Sequence, residues 1–304
     1  MENVSSIYIP KNRIRMTKGE KAFTFFNYTF FTCLCLFMVY PFWHVIMMSF
    51  SSAEETAKGG LFMWPKGFNI DVYEQVFKNP QIYSGYFTTL LVTLTGTGFG
   101  VLFTATTAYA LSKKTLPFSS TLMVLVLFTM IFHGGMIPNY LLIKNLGLIN
   151  NRLALILPAL INAYNVIIMK TFFLSLPASL EESAKIDGAN DVYIFVRIIL
   201  PLSKAVLATI ALFMAVGYWN DFFSTVLYIN KGELWSMQAV LRYMITNTAQ
   251  AMTLAGVAAQ DVTNVTEATI KAAAIVVATV PILIVYPFLQ KYFVKGVMIG
   301  SIKG

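Results

Sequence analysis

Charge is what this chain has least of. Only 12% of its 304 residues are Asp, Glu, Lys or Arg, against 57% hydrophobic. Soluble domains run near about 25% charged, so an ordinary water-facing surface is excluded, and a mean hydropathy of +0.67 points to an integral membrane protein. Cysteine is almost absent too. Cys33 and Cys35, two apart in one apolar run, point to different sides of a helix and are poorly placed to bridge. They read as small apolar fillers, and the compartment cannot be read from disulfides.

The missing motifs exclude further classes. There is no G-x-x-x-x-G-K-[ST] loop, so ATP is not bound through one here, and there is no H-E-x-x-H. His44 and His133 are the only histidines, and each reads as a helix-end or interface residue. No metal site or cofactor is expected in this chain. G-x-S-x-G is missing, as are paired aspartates in facing apolar runs, which disfavours a membrane-embedded hydrolase. The net charge of +8 comes without a basic patch interleaved with aromatics, so nucleic acid is not a partner. The positive charge is instead a topology signal.

What the chain has is apolar length. Six stretches, 22–50, 86–112, 119–138, 153–174, 205–229 and 272–294, each approach or exceed the ~20 residues that cross a bilayer as helix. The fold expected is an all-α membrane protein of six transmembrane helices. Lys11, Arg13, Arg15, Lys18 and Lys21 precede the first run, which is too long for a signal-peptide core and lacks a cleavage site. It reads as a retained span. The divisions are a basic segment at 1–21, a membrane domain at 22–294 and a tail at 295–304. Lys and Arg are more numerous in one set of connections, which puts both termini in the cytoplasm. Segment 175–204 then lies inside, with long outer segments at 51–85 and 230–271.

Several features interrupt the runs. Gly96-x-x-x-Gly100 leaves a small face for close helix packing. Gly134, Gly135 and Pro138 break the third run, with a short amphipathic piece at Tyr140–Leu148 after it. Span six holds Pro281 and Pro287. Span five ends in the polar sequence Gly217-Tyr218-Trp219-Asn220-Asp221. Asp221 stands as an intramembrane ionisable group of functional interest or as an exposed helix-end residue. The stretch 246–270, rich in small and polar residues, reads either as a linker or as a loop that docks on an external partner or dips towards the substrate path.

One island of charge remains, Pro177 to Pro201, with Glu181, Glu182, Lys185, Asp187, Asp191 and Arg197 between apolar runs. Ser179-x-x-Glu182 has capping-box spacing. Gly188 suits the left-handed helix stop, and Asn190 or Asp191 can cap a second helix over Val192–Leu200. In that helix Val192, Phe195, Val196 and Ile199 would share a face. The product is helix–glycine–helix, with Glu181, Glu182, Lys185 and Asp187 shown to water. On physical grounds alone it is a solvated loop.

The spacing of Glu182-Ser183-Ala184, Gly188 and Ile198-x-Leu200-Pro201 resembles the E-A-A-x-x-x-G-(x)9-I-x-L-P loop of ABC-importer permeases, with Ser183 for the usual alanine. Gly147-Leu148-Ile149-Asn150, Asp187-Gly188-Ala189, Trp219-Asn220 and the tail Gln290 to Gly304 resemble the carbohydrate-uptake permeases, the second of the two permease subunits in particular. The resemblance covers roughly residue 20 onward. It implies a multi-pass subunit of the bacterial cytoplasmic membrane, not itself an enzyme, importing a sugar, oligosaccharide or polysaccharide fragment. Its implied partners are a second permease, two copies of a cytoplasmic ATPase that carry ATP and Mg, and an external solute-binding protein. The helix around Glu182 to Gly188, with Glu181, Ser183, Ala184, Asp187 and Ala189, would be the coupling helix, Glu182 pairing with a basic ATPase residue. Lys295, Lys303 and Gly304 would touch the ATPase as well. Sugars are held by aromatic faces and hydrogen bonds, which marks Tyr164, Asn165, Tyr218, Trp219 and Asn220; interface anchoring or helix packing explains the same aromatics. The alternatives are an ion-coupled secondary transporter, which the scarcity of intramembrane charge disfavours, and an ABC permease for a non-sugar solute.

Overall fold

The computed structural model describes residues 17–113, 115–246 and 266–301, and for 286–301 the course of the backbone only. Lys11, Arg13, Arg15, Lys303, Gly304 and the stretch 247–265 lie outside the described residues. Every regular element among the described residues is helical.

Helix α1, Lys18–Ser49, opens on a capping box. The Thr17 hydroxyl accepts from the Glu20 N–H at 3.3 Å, and the Glu20 carboxylate accepts from the Thr17 N–H at 2.7 Å. Two short helices follow, α2 at Ala53–Lys58 and α3 at Asp71–Lys78. In α2 the Lys58 ammonium bonds the Glu55 carboxylate and holds its pKa below the usual value. Then comes α4, Pro80–Ser112, capped by Asn79 and carrying proline in its first turn, where the missing N–H costs nothing.

The hub of the molecule is α4, which packs on α8 (Ala163–Leu174), α12 (Lys204–Asn220) and α14 (Met237–Thr246). Its small residues make this possible. A Cβ on Gly96 would stand 2.6 Å from the Tyr218 ring, and one on Gly100 would stand 2.2 Å from Met214 Cε and 3.1 Å from the Leu160 carbonyl oxygen. The glycine pair four apart is therefore the face that receives α12. A second core joins α3, α4 and α14 to α15 (Glu267–Ser301) through Val76, Ile82, Met237, Met244, Ala273 and Ala274. The Tyr86 hydroxyl of α4 donates to the Val277 carbonyl of α15.

Three of the six expected spans are bent. Helix α5, Ser119–Ile131, meets α6, Met136–Asn145, at 111°, because Gly135 at φ +91° breaks the helix. The third run is thus shorter than 119–138. Span four divides at 49° into α7 (Leu153–Ile156, with a 3-10 turn to Ala159) and α8. Asn162 restarts the helix by accepting from the Tyr164 N–H at 2.9 Å. Span five stops at Asn220 rather than 229. Asp221 Oδ1 accepts from the Ser224 N–H at 3.1 Å, a bond to the first turn of α13, Phe223–Tyr228.

Candidate functional site

The charged island folds as two short helices around a glycine. The first, α9, covers Ala178–Ile186 and follows Pro177. The capping box expected from Ser179 and Glu182 does not form: Pro177 occupies the cap, and no side chain bonds the first turn. The expected stop does form. Gly188 sits at φ +80°, a conformation that favours glycine. The Gly188 N–H donates to the Lys185 carbonyl at 3.0 Å, and the Ala189 N–H to the Ala184 carbonyl at 2.9 Å, the paired bonds of a Schellman ending. Asn190 Oδ1 accepts from the Tyr193 N–H at 2.8 Å and caps α10, Asp191–Ile194.

The second helix departs from the α-helical face proposed for Val192, Phe195, Val196 and Ile199. A π-type turn covers Phe195–Ile199 before α11, Leu200–Leu202. Pro201 lacks an N–H, and the extra residue rotates the face. Ile194, Phe195 and Ile199 are buried, whereas Val192 and Val196 are exposed and line a groove of about 630 Å³ with Leu102, Thr106 and Tyr109 of α4. The chain then turns by 81° at Ser203 into α12.

Within α9 the side chains divide. Glu181, expected in water, turns inward and pairs with Lys113 at the end of α4; both are mostly covered. The Lys113 ammonium also sits 3.9 Å from the Tyr109 ring centroid. Ala184 is buried in the same contact layer. Glu182, Ser183, Lys185 and Asp187 are exposed, and beside them Ile186 is 86% exposed. Lys185 reaches Asp191 at 3.3 Å, leaving Glu182 as a carboxylate with no ion pair among the described residues. Ala184, Asp187, Gly188, Ala189, Asn190 and Tyr193 line a recess of about 440 Å³ in the bend. Glu182 and Ile186 thus put a carboxylate and an aliphatic side chain on the exposed surface of α9.

The residues proposed for a sugar path separate. Tyr218 is buried, its ring on Gly96 and its hydroxyl donating to the Ile156 carbonyl at 3.1 Å; it is a packing residue. Asn165 is buried and Trp219 half-buried, while Tyr164 and Asn220 are exposed. Asn220 Nδ2 donates to the Val216 carbonyl at 3.0 Å. A cavity of about 630 Å³ between α4, α5 and α8 is lined mainly by aliphatic side chains, with Thr107 and Thr129 its hydroxyl groups. Those walls offer too few hydrogen bonds for a glycan. Of the proposed tail contacts, Lys295 lies on the α15 backbone, and Lys303 and Gly304 are outside the described residues.

Two residues went unassigned by sequence reasoning. Nothing local in the sequence marks Lys113, because its partner, Glu181, lies in a distant segment. Asn150, in the left-handed region at φ +59°, ties two connections together. Its N–H donates to the Tyr228 carbonyl at 3.0 Å, and its Oδ1 accepts from the N–H groups of Asn230 at 2.7 Å and Lys231 at 3.2 Å. The Gly147–Asn150 sequence singled it out, but not its task.

A bundle of bent apolar spans with one rigid, charged helix–glycine–helix is built as a membrane transport permease. The family of binding-protein-dependent transport system inner membrane components matches residues 114–299, and the chain belongs to it. Protein LplC of Bacillus subtilis strain 168 is 46% identical over 288 residues, covering 95% of this chain and 97% of that one. The polygalacturonan/rhamnogalacturonan transport system permease protein YtcP of the same strain is 44% identical, over 94% and 99% of the two chains. A solved bacterial ABC transporter involved in import of the acidic polysaccharide alginate contains a chain 32% identical to this one. The match covers 92% of this chain and 99% of that one, with a TM-score of 0.85. The protein is a multi-pass inner-membrane permease subunit, and its family works with an ATPase, a solute-binding protein and a second permease.

Proposed function

We propose that this chain is the transmembrane subunit of an ATP-driven importer for a sugar, oligosaccharide or polysaccharide fragment, coupled to its motor through α9. The relative YtcP is named for polygalacturonan/rhamnogalacturonan transport, and the structural neighbour belongs to a transporter involved in alginate import, which supports a glycan cargo. In this reading the complex holds one second permease, two ATPase copies that bind ATP and Mg and hydrolyse the nucleotide, and an external binding protein. Both termini are cytoplasmic. Glu182 pairs with a basic ATPase residue in a charge-assisted contact, while Ser183, Asp187, Gly188 and Ala189 shape the seat. Glu181 acts from behind, fixing the helix to α4 through Lys113. Lys295, Lys303 and Gly304 form a second contact with the ATPase. Tyr164 and Asn220 face the cargo, with Asn165, Trp219 and Tyr218 supporting them. Closure of the ATPases draws the coupling helices together and rocks the bent spans.

The observation that carries the coupling assignment is the exposed Glu182 carboxylate beside Ile186, on a helix pinned by the Lys113–Glu181 pair and the Gly188 stop. Its test is Glu182→Lys and Gly188→Val in the assembled importer. Uptake and ATPase association should fall while the chain still inserts; unchanged uptake overturns the assignment. Asp221 offers little to an ion-coupled alternative, because its carboxylate is bonded to the first turn of α13.

A further inference from the structure

The loop between α2 and α3 presents an apolar surface. From Gly59 to Ile70 it reads G-G-L-F-M-W-P-K-G-F-N-I, with Lys66 its one charge. Leu61 is 71% exposed, Trp64 73% and Phe68 71%, and Met63 is exposed as well. A loose loop would fold such side chains away. This one is held.

Phe62 is buried, its N–H donating to His44 Nδ1 at 3.2 Å and its ring lying edge-on to the imidazole at 5.5 Å. The Trp43 indole donates to the Met63 carbonyl at 2.9 Å, and its ring meets Trp64 edge-on at 6.3 Å. Further along, the Lys66 N–H donates to Ser51 Oγ at 3.0 Å, and the Lys66 carbonyl accepts from the Ser52 N–H at 2.9 Å. The Asn69 N–H bonds the Phe50 carbonyl at 2.9 Å, and Phe68 stacks on Phe50 at 5.8 Å. The backbone is thus pinned to the end of α1, and the side chains between the pins face outward.

The level at which they face outward follows from α1. Lys18 and Lys21 mark one membrane surface, and ~20 helical residues, about 30 Å, cross the hydrocarbon. Counting from Lys21 brings the far boundary to Pro41, so Trp43, His44 and the loop pinned to them stand at the opposite interface. Trp is the residue favoured at that depth. Lys66 can lay its stem over the apolar edge and lift its ammonium to the phosphates; its Nζ lies 5.1 Å from the Phe62 ring centroid. The preceding helix is polar by contrast, with Lys58 paired to both Glu54 and Glu55, as suits the water side.

We infer that Leu61, Met63 and Trp64 form an interfacial anchor, inserted in the phospholipid leaflet at the far end of α1. Its partner is the headgroup–acyl boundary of the bilayer, not a protein. The anchor holds one end of a helix that otherwise packs in this chain chiefly along α15. The inference depends neither on the cargo nor on which leaflet is the outer one.

The test uses the assembled importer in phospholipid vesicles. In a Cys33→Ser/Cys35→Ser background, a bimane label is attached at Leu61→Cys, Trp64→Cys or, on α2, Ala57→Cys. Lipids with a nitroxide near the headgroup should quench Leu61→Cys and Trp64→Cys severalfold more than Ala57→Cys, and aqueous iodide should show the reverse order. As a check with little perturbation, Trp64→Phe should lower the fraction of tryptophan fluorescence quenched by brominated phosphatidylcholine. Iodide access at Leu61 and Trp64 equal to that at Ala57 overturns the inference. So does shielding of those sites by added binding protein with no quenching by lipid, which would assign the surface to a protein partner. Failure of sugar uptake in the same vesicles would count against the importer reading and leave the quenching result standing.

Discussion

Helices α1 and α4 are nearly equal in length, 32 and 33 residues, and both are apolar enough to cross a bilayer. Yet 6% of the most apolar stretch of α1 is buried within the molecule, against 33% for α4. Hydrophobicity does not separate them; side-chain size does. In α4, Gly85, Thr88, Thr89, Thr93, Gly96, Gly100 and Thr104 run along the buried face. In α1 the corresponding length is filled by Phe23, Phe25, Phe26, Phe30, Phe31 and Phe37, all exposed. In a membrane the hydrophobic effect does not drive helices together, and close approach of small residues does. The Phe-rich helix therefore meets this chain chiefly along α15, while the Gly/Thr-rich helix becomes the hub.

The largest effect should come from filling the small face. Gly96→Leu puts a branched side chain into the Tyr218 ring, where even a Cβ lies 2.6 Å away. Because that ring is also fixed by its bond to Ile156, the cost should reach or pass the about 1–3 kcal/mol of ordinary overpacking, seen as early thermal unfolding in detergent. Gly98→Leu on the opposite face meets nothing within 4 Å and should stay within about 0.5 kcal/mol. Equal losses at the two positions would break the comparison. A smaller loss is expected from Thr89→Val. The buried Met237 N–H donates to the Thr89 hydroxyl at 2.8 Å, and an orphaned buried N–H costs about 1–3 kcal/mol. Thermal unfolding of this variant beside Thr106→Val, whose hydroxyl bonds only its own helix, isolates the long-range bond.

How much of this was legible in the sequence follows the same division. Six apolar runs, the Gly96–Gly100 face, the Gly188 stop and the Asn190 cap are local patterns, and all are present in the structure. The bends were partly visible: Gly134–Gly135 marked the sharpest, but the turn at Ser203 depends on a π-type segment and Pro201 together, and no single residue announces it. Helix α14 was missed because it lies in a stretch read only as an outer segment, and its apolar face matters through α4 and α15. The engagement of Glu181 and Tyr218 was not legible for one reason. A carboxylate or an aromatic beside a motif looks available, and only the distant Lys113 and Gly96 show that each is already engaged.

The C-terminal end of α4 supplies the next prediction. Lys113 and Glu181 are mostly shielded, so Glu181→Gln should weaken the contact by about 1 kcal/mol or somewhat more, within the range of charge-assisted bonds. A double-mutant cycle with Lys113→Met separates the pair from other losses. If Glu181 served the surface of α9 rather than its seat, the cycle would show no coupling energy.

The smallest effect is expected on α1. Phe26 and Phe30 stack on each other at 6.3 Å and are exposed, so Phe26→Leu/Phe30→Leu removes area that this chain never covers. Unfolding of the isolated subunit should be unchanged within about 0.5 kcal/mol. The informative readout is co-purification with the second permease. A helix that owes its stability to lipid alone should lose nothing there, because leucine is as apolar as the acyl chains around it. A loss of heterodimer with an intact subunit would mean that the aromatic face of α1 is specific to a protein partner. The size rule drawn from α4 would then hold within one chain and yield to aromatic packing between two.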